Sequence, residues 1–194
     1  SYLWSTGETT QTIEVTESGD YSVEVNLIVN NDEIGQFING GYIFYNDINN
    51  GISYVASEDY IGSGEWGCYG NAVNGADGFE IGDGQQNTED ILASNCINSN
   101  SAAVIASNYN NDFNDWYLPS LSELELVYNN LFLTGIVAYD TGDKNNWYWS
   151  STECATNPVG GASSINFGPG TISLCNNKDS WQGGVIAVRS FNSD

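Results

Sequence analysis

The chain has 194 residues, in which 25 Asp and Glu side chains face only Lys144, Lys178 and Arg189, for a formal net charge of −22. A surface that is negative almost everywhere makes nucleic acid, anionic lipid and sulfated polysaccharide poor direct partners, because binding them relies on clustered Lys and Arg; bound divalent cations would be needed as a bridge. The length suits one ordinary domain with an appendage and excludes two large ones.

No run of about 18 apolar residues is present to cross a bilayer, so no membrane insertion is expected. The N-terminus lacks the basic and apolar segments of a signal peptide, and the sequence is expected to be a piece of a longer chain. Four cysteines, no histidine and no methionine, with abundant Asn, Ser, Thr, Gly, Tyr and Trp, fit a secreted or cell-surface module. Four cysteines permit three pairings. Cys68 with Cys96 and Cys154 with Cys175 is favoured, because each pair brackets a loop-rich segment whose closure contributes about 3 kcal/mol; four free thiols is the alternative.

Residues 1–30 differ from the rest. Thr10 to Glu17 and Tyr21 to Ile28 alternate with period two around the turn Ser18-Gly19-Asp20, which predicts a β-hairpin. This segment resembles the C-terminal half of the immunoglobulin-like repeats of large bacterial surface proteins. After a polar joint at Asn30 to Gln36, Gly40 to Tyr45 and Gly51 to Ala56 read as two strands. Tyr60 to Gln86 is a long glycine-rich loop anchored by Trp66, Cys68, Tyr69 and Phe79. A first helix is predicted from Asn87 or Thr88, with Glu89 and Asp90 in its positive first turn, breaking near Cys96 to Asn100 and resuming over Ser101 to Ser107. Ser120-Leu-Ser-Glu123 after Pro119 is a capping box that opens a second helix, with Leu121, Leu124, Val127, Tyr128 and Leu131 on one face. Short strands follow at Trp147 to Ser150, Ser164 to Phe167, Thr171 to Leu174 and Val185 to Phe191. Helices followed by short antiparallel strands predict an α+β domain.

The blocks GGYIFYNDINNGISYVA, WGCYG, IGDGQQNTEDI, DWYLPSLSELELVYNNL, YWSSTE and AVRSF, in this order, resemble the C-terminal domain family of the Legionella collagen-like adhesin, a bacterial family with a C-type lectin-like fold. The resemblance spans about Phe37 to Phe191 and implies a C-type lectin-like domain over 37–194. In such a domain the N- and C-terminal strands pair, two helices flank the sheet and an irregular loop region carries binding. It implies adhesion rather than catalysis.

Trp116, Leu118, Leu121 and Leu124 read as core. Glu153 is either a cation or sugar contact or a buried carboxylate on backbone amides. Arg189 is expected to pair with a buried carboxylate, Glu153 or Glu123. Without histidine, a Ser-His-Asp or Cys-His mechanism and a histidine-held zinc are impossible within this chain. Calcium is the candidate cofactor, because it takes oxygen ligands from irregular loops. The segments Asn46 to Asn50, Asn108 to Asp115, Asp140 to Asp143 and Asn176 to Asp179 qualify, with Asp112, Asn114, Asp140 and Asp143 as candidate ligands and turn formation as the competing role. The Glu-Pro-Asn and Trp-Asn-Asp motifs of animal C-type lectins are absent.

An aromatic face beside planar amides and carboxylates suits sugar, and Trp147, Trp149, Glu153, Asn157, Asn166, Asn176, Asp179 and Trp181 are the candidate ligand-binding residues. The expected function is a module of a large bacterial adhesin that binds a glycan or surface protein of a host or neighbouring cell, next to other domains of the same chain. A spacer module without a ligand is the alternative. An enzyme of the sulfatase-modifying type, which shares the fold and needs free thiols, ranks below both.

Overall fold

The structure is a computed structural model that describes residues 2–10, 12–25, 33–139, 146–179 and 183–193. It divides into two compact units, Ser1–Asn31 and Asp32–Asp194. In the first, β1 (Tyr2–Trp4) pairs antiparallel with β2 (Val23–Val25). The hairpin predicted around Ser18 to Asp20 is corrected here. Residues 12–17 form no strand, and β2 takes its partner from the start of the chain. Val15 is about half exposed, so the alternation there has no apolar face to bury. The expected continuation over Asn26 to Ile28 lies outside the described residues.

The second unit is α+β, with two sheets and helices packed against them. One sheet orders β11 (Val188–Asn192), β5 (Ile52–Ala56), β4 (Gly41–Asp47) and β3 (Phe37–Ile38), all antiparallel. Its first long hairpin and the last strand thus lie side by side. The other orders β6 (Gly62–Gly64), β10 (Gly183–Val185), β7 (Trp147–Glu153), β8 (Gly161–Asn166) and β9 (Thr171–Asn177), with only β10 and β7 parallel.

Two apolar cores form because successive strand residues point to opposite faces. Ile43, Val55, Ala187 and Trp149 enter one core with Trp66, Ile91 and Trp116; Phe44, Tyr54, Val188 and Tyr148 enter the other with Leu124, Val127, Leu131 and Phe167. β7 is buried from Tyr148 onward, so its serines serve packing: Ser150 Oγ donates to Ser163 O and Ser151 Oγ to Pro119 O.

The described residues form three α-helices: α1 (Asp83–Ala93), α2 (Ala102–Ser107) and α3 (Leu121–Val127), the last running into a π-helical turn at Tyr128–Phe132. α3 starts as expected. Ser120 Oγ accepts from Glu123 N at 3.2 Å, and Glu123 Oε2 accepts from Ser120 N at 2.8 Å. α1 starts a full turn earlier than predicted, at Gly82 with φ 97°. Asn87 and Thr88 look like caps but are buried cross-links inside the helix. Asn87 exchanges hydrogen bonds with Gly78, and Thr88 Oγ1 accepts from Leu118 N while donating to Gly84 O.

Glu123 also joins the two helix starts, since its Oε1 accepts from Gly82 N at 2.9 Å and from the Tyr117 hydroxyl at 3.3 Å. Gly84 makes the approach possible, because a Cβ there would overlap the Glu123 carboxylate and Ser120 N. With no cation beside it among its bonded partners, burial pushes the Glu123 carboxyl up to about 7 despite its donors. The folded state therefore holds this proton where the unfolded chain, with its ordinary value of 4.5, has released it. That contribution is present below pH 4.5 and is lost as the pH rises through about 7. Relative to Glu123→Gln, the parent should lose about 3 kcal/mol of stability across that window. Denaturant unfolding at stepped pH measures it, and a constant difference between the two proteins would refute the assignment.

Candidate functional site

Two irregular segments leave the five-stranded sheet side by side. One runs from Glu65 into α1 and is pinned by the disulfide Cys68–Cys96; the other joins β7 to β8 and is pinned to β9 by Cys154–Cys175. Both pairings are those favoured from the sequence. They exclude free thiols, since no described cysteine is unpaired.

Between the segments lies Lys178, fully buried just beyond β9. Its ammonium has three N–H donors and uses them on Glu153 Oε1 at 2.6 Å, Pro158 O at 2.6 Å and Asn71 O at 3.1 Å, with the Trp66 ring 4.4 Å away. Burial lowers the lysine below its ordinary value, and the hydrogen bond to Glu153 opposes this. Glu153 Oε1 accepts in addition from Val73 N at 2.8 Å, and Glu153 N donates to Ala76 O at 2.7 Å. One ion pair thereby ties β7, the 71–76 turn and the 154–160 loop.

Above this pair opens a cleft of about 500 Å3 lined by Ala72, Val73, Asn74, Gly75, Asp77, Phe79, Glu153, Cys154, Ala155 and Pro158. A hollow of about 280 Å3 adjoins it and adds Leu121, Thr152, Ser163 and Leu174. Phe79 is 55% exposed and Leu174 62%, so an aromatic ring and an aliphatic side chain face water at a rim that also carries Asp77. That mix suits a ligand with one apolar face and several hydroxyl or amide groups.

The residues expected to bind ligand do not come together. Glu153 lies at the floor and is a salt-bridged structural carboxylate, so its expected choice between ligand and backbone amides resolves to Lys178 and Val73. Asn157 is exposed on the adjoining loop, and Asp179 is exposed past Lys178. Asn176 is tied to Ser164 and Ser173 within the sheet. Trp149 is a core residue, fully buried, with its indole donating to Gly64 O at 2.9 Å. Trp147 and Asn166 are register partners at the opposite end of β7, about 20 Å from Glu153 along the strand. Trp181 lies outside the described residues. Phe79, by contrast, read in sequence as a loop anchor. Its signal was an aromatic residue in a glycine-rich, polar segment, which does not by itself distinguish an anchor from an exposed ring.

Two of the candidate calcium loops, Asn46 to Asn50 and Asn108 to Asp115, also have structural work. Asp47 closes its turn by accepting from Asn50 N at 3.1 Å and Asn50 Nδ2 at 2.7 Å, and the side-chain bond holds its carboxyl below the ordinary value. Asp112, with φ 75°, and Asn114 are exposed in the loop that grips Arg189. Arg189 pairs with Asp115, Nε to Oδ1 at 2.6 Å and Nη2 to Oδ2 at 2.8 Å, and stacks 4.1 Å over Phe113. The expected partners Glu153 and Glu123 are thus corrected to Asp115, whose carboxyl the Arg189 bonds hold low. Asp140 and Asp143 lie outside the described residues. Among the described residues, no three His, Cys, Asp or Glu side chains gather as a metal site.

No known protein-family model matches the chain, and no curated protein matches it. Removing one partner of the buried pair strands the other. Lys178→Met should cost about 3–5 kcal/mol, and adding Glu153→Gln should recover part of the loss, because the amide oxygen still accepts from Val73. Unfolding with disulfides intact measures both, and a loss under about 1 kcal/mol for the single variant would contradict a buried ion pair.

Proposed function

We propose that the chain is a ligand-binding module of a large secreted or cell-surface bacterial adhesin, with a C-type lectin-like domain over 37–194 and part of an immunoglobulin-like repeat at 1–30. The observation that carries the reading is the open cleft whose walls are held by two disulfides and a buried ion pair while Phe79 remains exposed at its rim. Rigid walls around an exposed ring are what a preformed binding site requires. Disulfides fit an oxidising compartment, and no described helix is long and apolar enough to cross a membrane. The pairing of β11 with the β4–β5 hairpin supports the lectin-like assignment, which expects the two ends of the domain to meet.

The ligand is a glycan or a surface protein of a host or neighbouring cell. A net charge of −22 turns the choice toward neutral or basic partners. Calcium assistance belongs to the proposal, with the exposed Asn and Asp loops as its source of oxygen ligands. The module acts by holding its ligand rather than by transforming it.

Glycan-array and cell-adhesion binding, each with and without chelator, tests this. Phe79→Ala should weaken binding at least about tenfold while leaving thermal stability within about 0.5 kcal/mol, since the ring is exposed. No binding in any condition would leave a spacer module as the better account.

A further inference from the structure

Among the described residues, four strands form the edges of the two sheets in the second unit: β6 and β9 of one, β11 and β3 of the other. Three of them are short or covered. β3 has two residues, β6 has three and leads into Glu65, which bridges Ser101 at the start of α2. β11 is capped at Val188 by Tyr117, each backbone N–H donating to the other's carbonyl.

β9 is different. It runs seven residues, Thr171–Asn177, with no charged side chain and no proline, and Ile172 and Leu174 are 41% and 62% exposed. A sheet edge presents unpaired N–H and C=O groups that template another strand, so proteins usually guard long edges with charge or proline. The irregularity in β9 sets Leu174 and Cys175 opposite Ser163, and such bulges re-aim a side chain. Here Leu174 is aimed into the apolar hollow with Phe79 and Leu121. The strand is also rigid, fastened by Cys154–Cys175 and by the Asn176 bonds to Ser164 and Ser173, so little ordering is needed on binding.

Charge selects the occupant. Asp77 lines the hollow and Asp179 is exposed just past β9, while its neighbour Lys178 is buried on Glu153. A second copy would present the same acidic side chains and a net charge of −22 against itself. We propose that β9 and the adjoining hollow dock an extended basic segment of a partner protein, which adds to the sheet as a further strand, sets one apolar side chain between Leu174 and Phe79, and is drawn to this face by the negative field to which Asp77 and Asp179 contribute. This rests on the reading of this face as a ligand-binding surface and names the ligand's class.

The test uses the full chain with a synthetic peptide of alternating lysine and valine, and a peptide of equal charge with proline in place of each valine. At physiological salt the valine peptide should bind at least about tenfold tighter, because proline cannot supply the strand's N–H groups. Amide exchange over Thr171–Asn177 should slow on its addition, and the double variant Ile172→Lys, Leu174→Lys should remove the margin. Equal affinities, unchanged exchange in β9, or sedimentation as a dimer through that edge would overturn the proposal. Should the double variant not fold, the exchange measurement on the parent decides. Binding to glycans or cells without the peptide margin would sink strand addition alone; absence of both would sink the ligand-binding reading as well.

Discussion

The Lys178–Glu153 pair is the constraint on which the candidate site depends. An ammonium group withdrawn from water is costly unless every donor is used and a counter-charge is at hand. Lys178 meets both conditions only if Asn71, Pro158 and Glu153 converge on it from three separate segments. None of those segments has regular structure to hold it there, apart from the end of β7. The lysine therefore specifies the relative placement of two loops that hydrophobic burial alone would leave underdetermined. Trp66 completes the cage, and its own indole donates to Ser150 O, which links the pair to the middle of the sheet.

Two further polar centres hold the rest of the framework. Glu123 gathers Gly82, Ser120 and Tyr117 where the starts of α1 and α3 meet, and Arg189 gathers Asp115 and Asn39 where the last strand passes the first hairpin. Only three basic residues exist, and the two that are described are both spent on internal pairs. The negative exterior is thus left with hardly any opposing charge, while the interior keeps its buried polar groups paired.

The sequence disclosed those parts of the fold whose causes are local. The capping box at Ser120–Glu123, the apolar face of α3 and the β4–β5 hairpin were legible because neighbouring residues determine them. The disulfides were legible because loops rich in glycine and asparagine gain from closure. The start of α1 was not, because Asn87 and Thr88 have the chemistry of caps and only the distant Gly78 and Leu118 convert them into interior cross-links. Strand partners in the first unit were misassigned for a related reason: period two fixes a face, not the neighbour across it. At the site, the sequence offered Glu153 as a ligand contact or a carboxylate on backbone amides, and its partner Lys178 lay in a segment rich in asparagine that reads as a turn. Tryptophans drew attention to β7, where the sheet uses Trp149 as core, and away from Phe79, which the fold leaves at the surface.

If the buried pair is what shapes the cleft, its removal must loosen the cleft before it loosens the rest. Hydrogen exchange of the Lys178→Met variant, followed by mass spectrometry with the disulfides intact, tests that claim most directly. The account predicts faster exchange in residues 71–79 and 154–160, with β4, β5 and β11 retaining the protection of the parent. Unchanged exchange in the two loops, or uniform loss across both sheets, would contradict it.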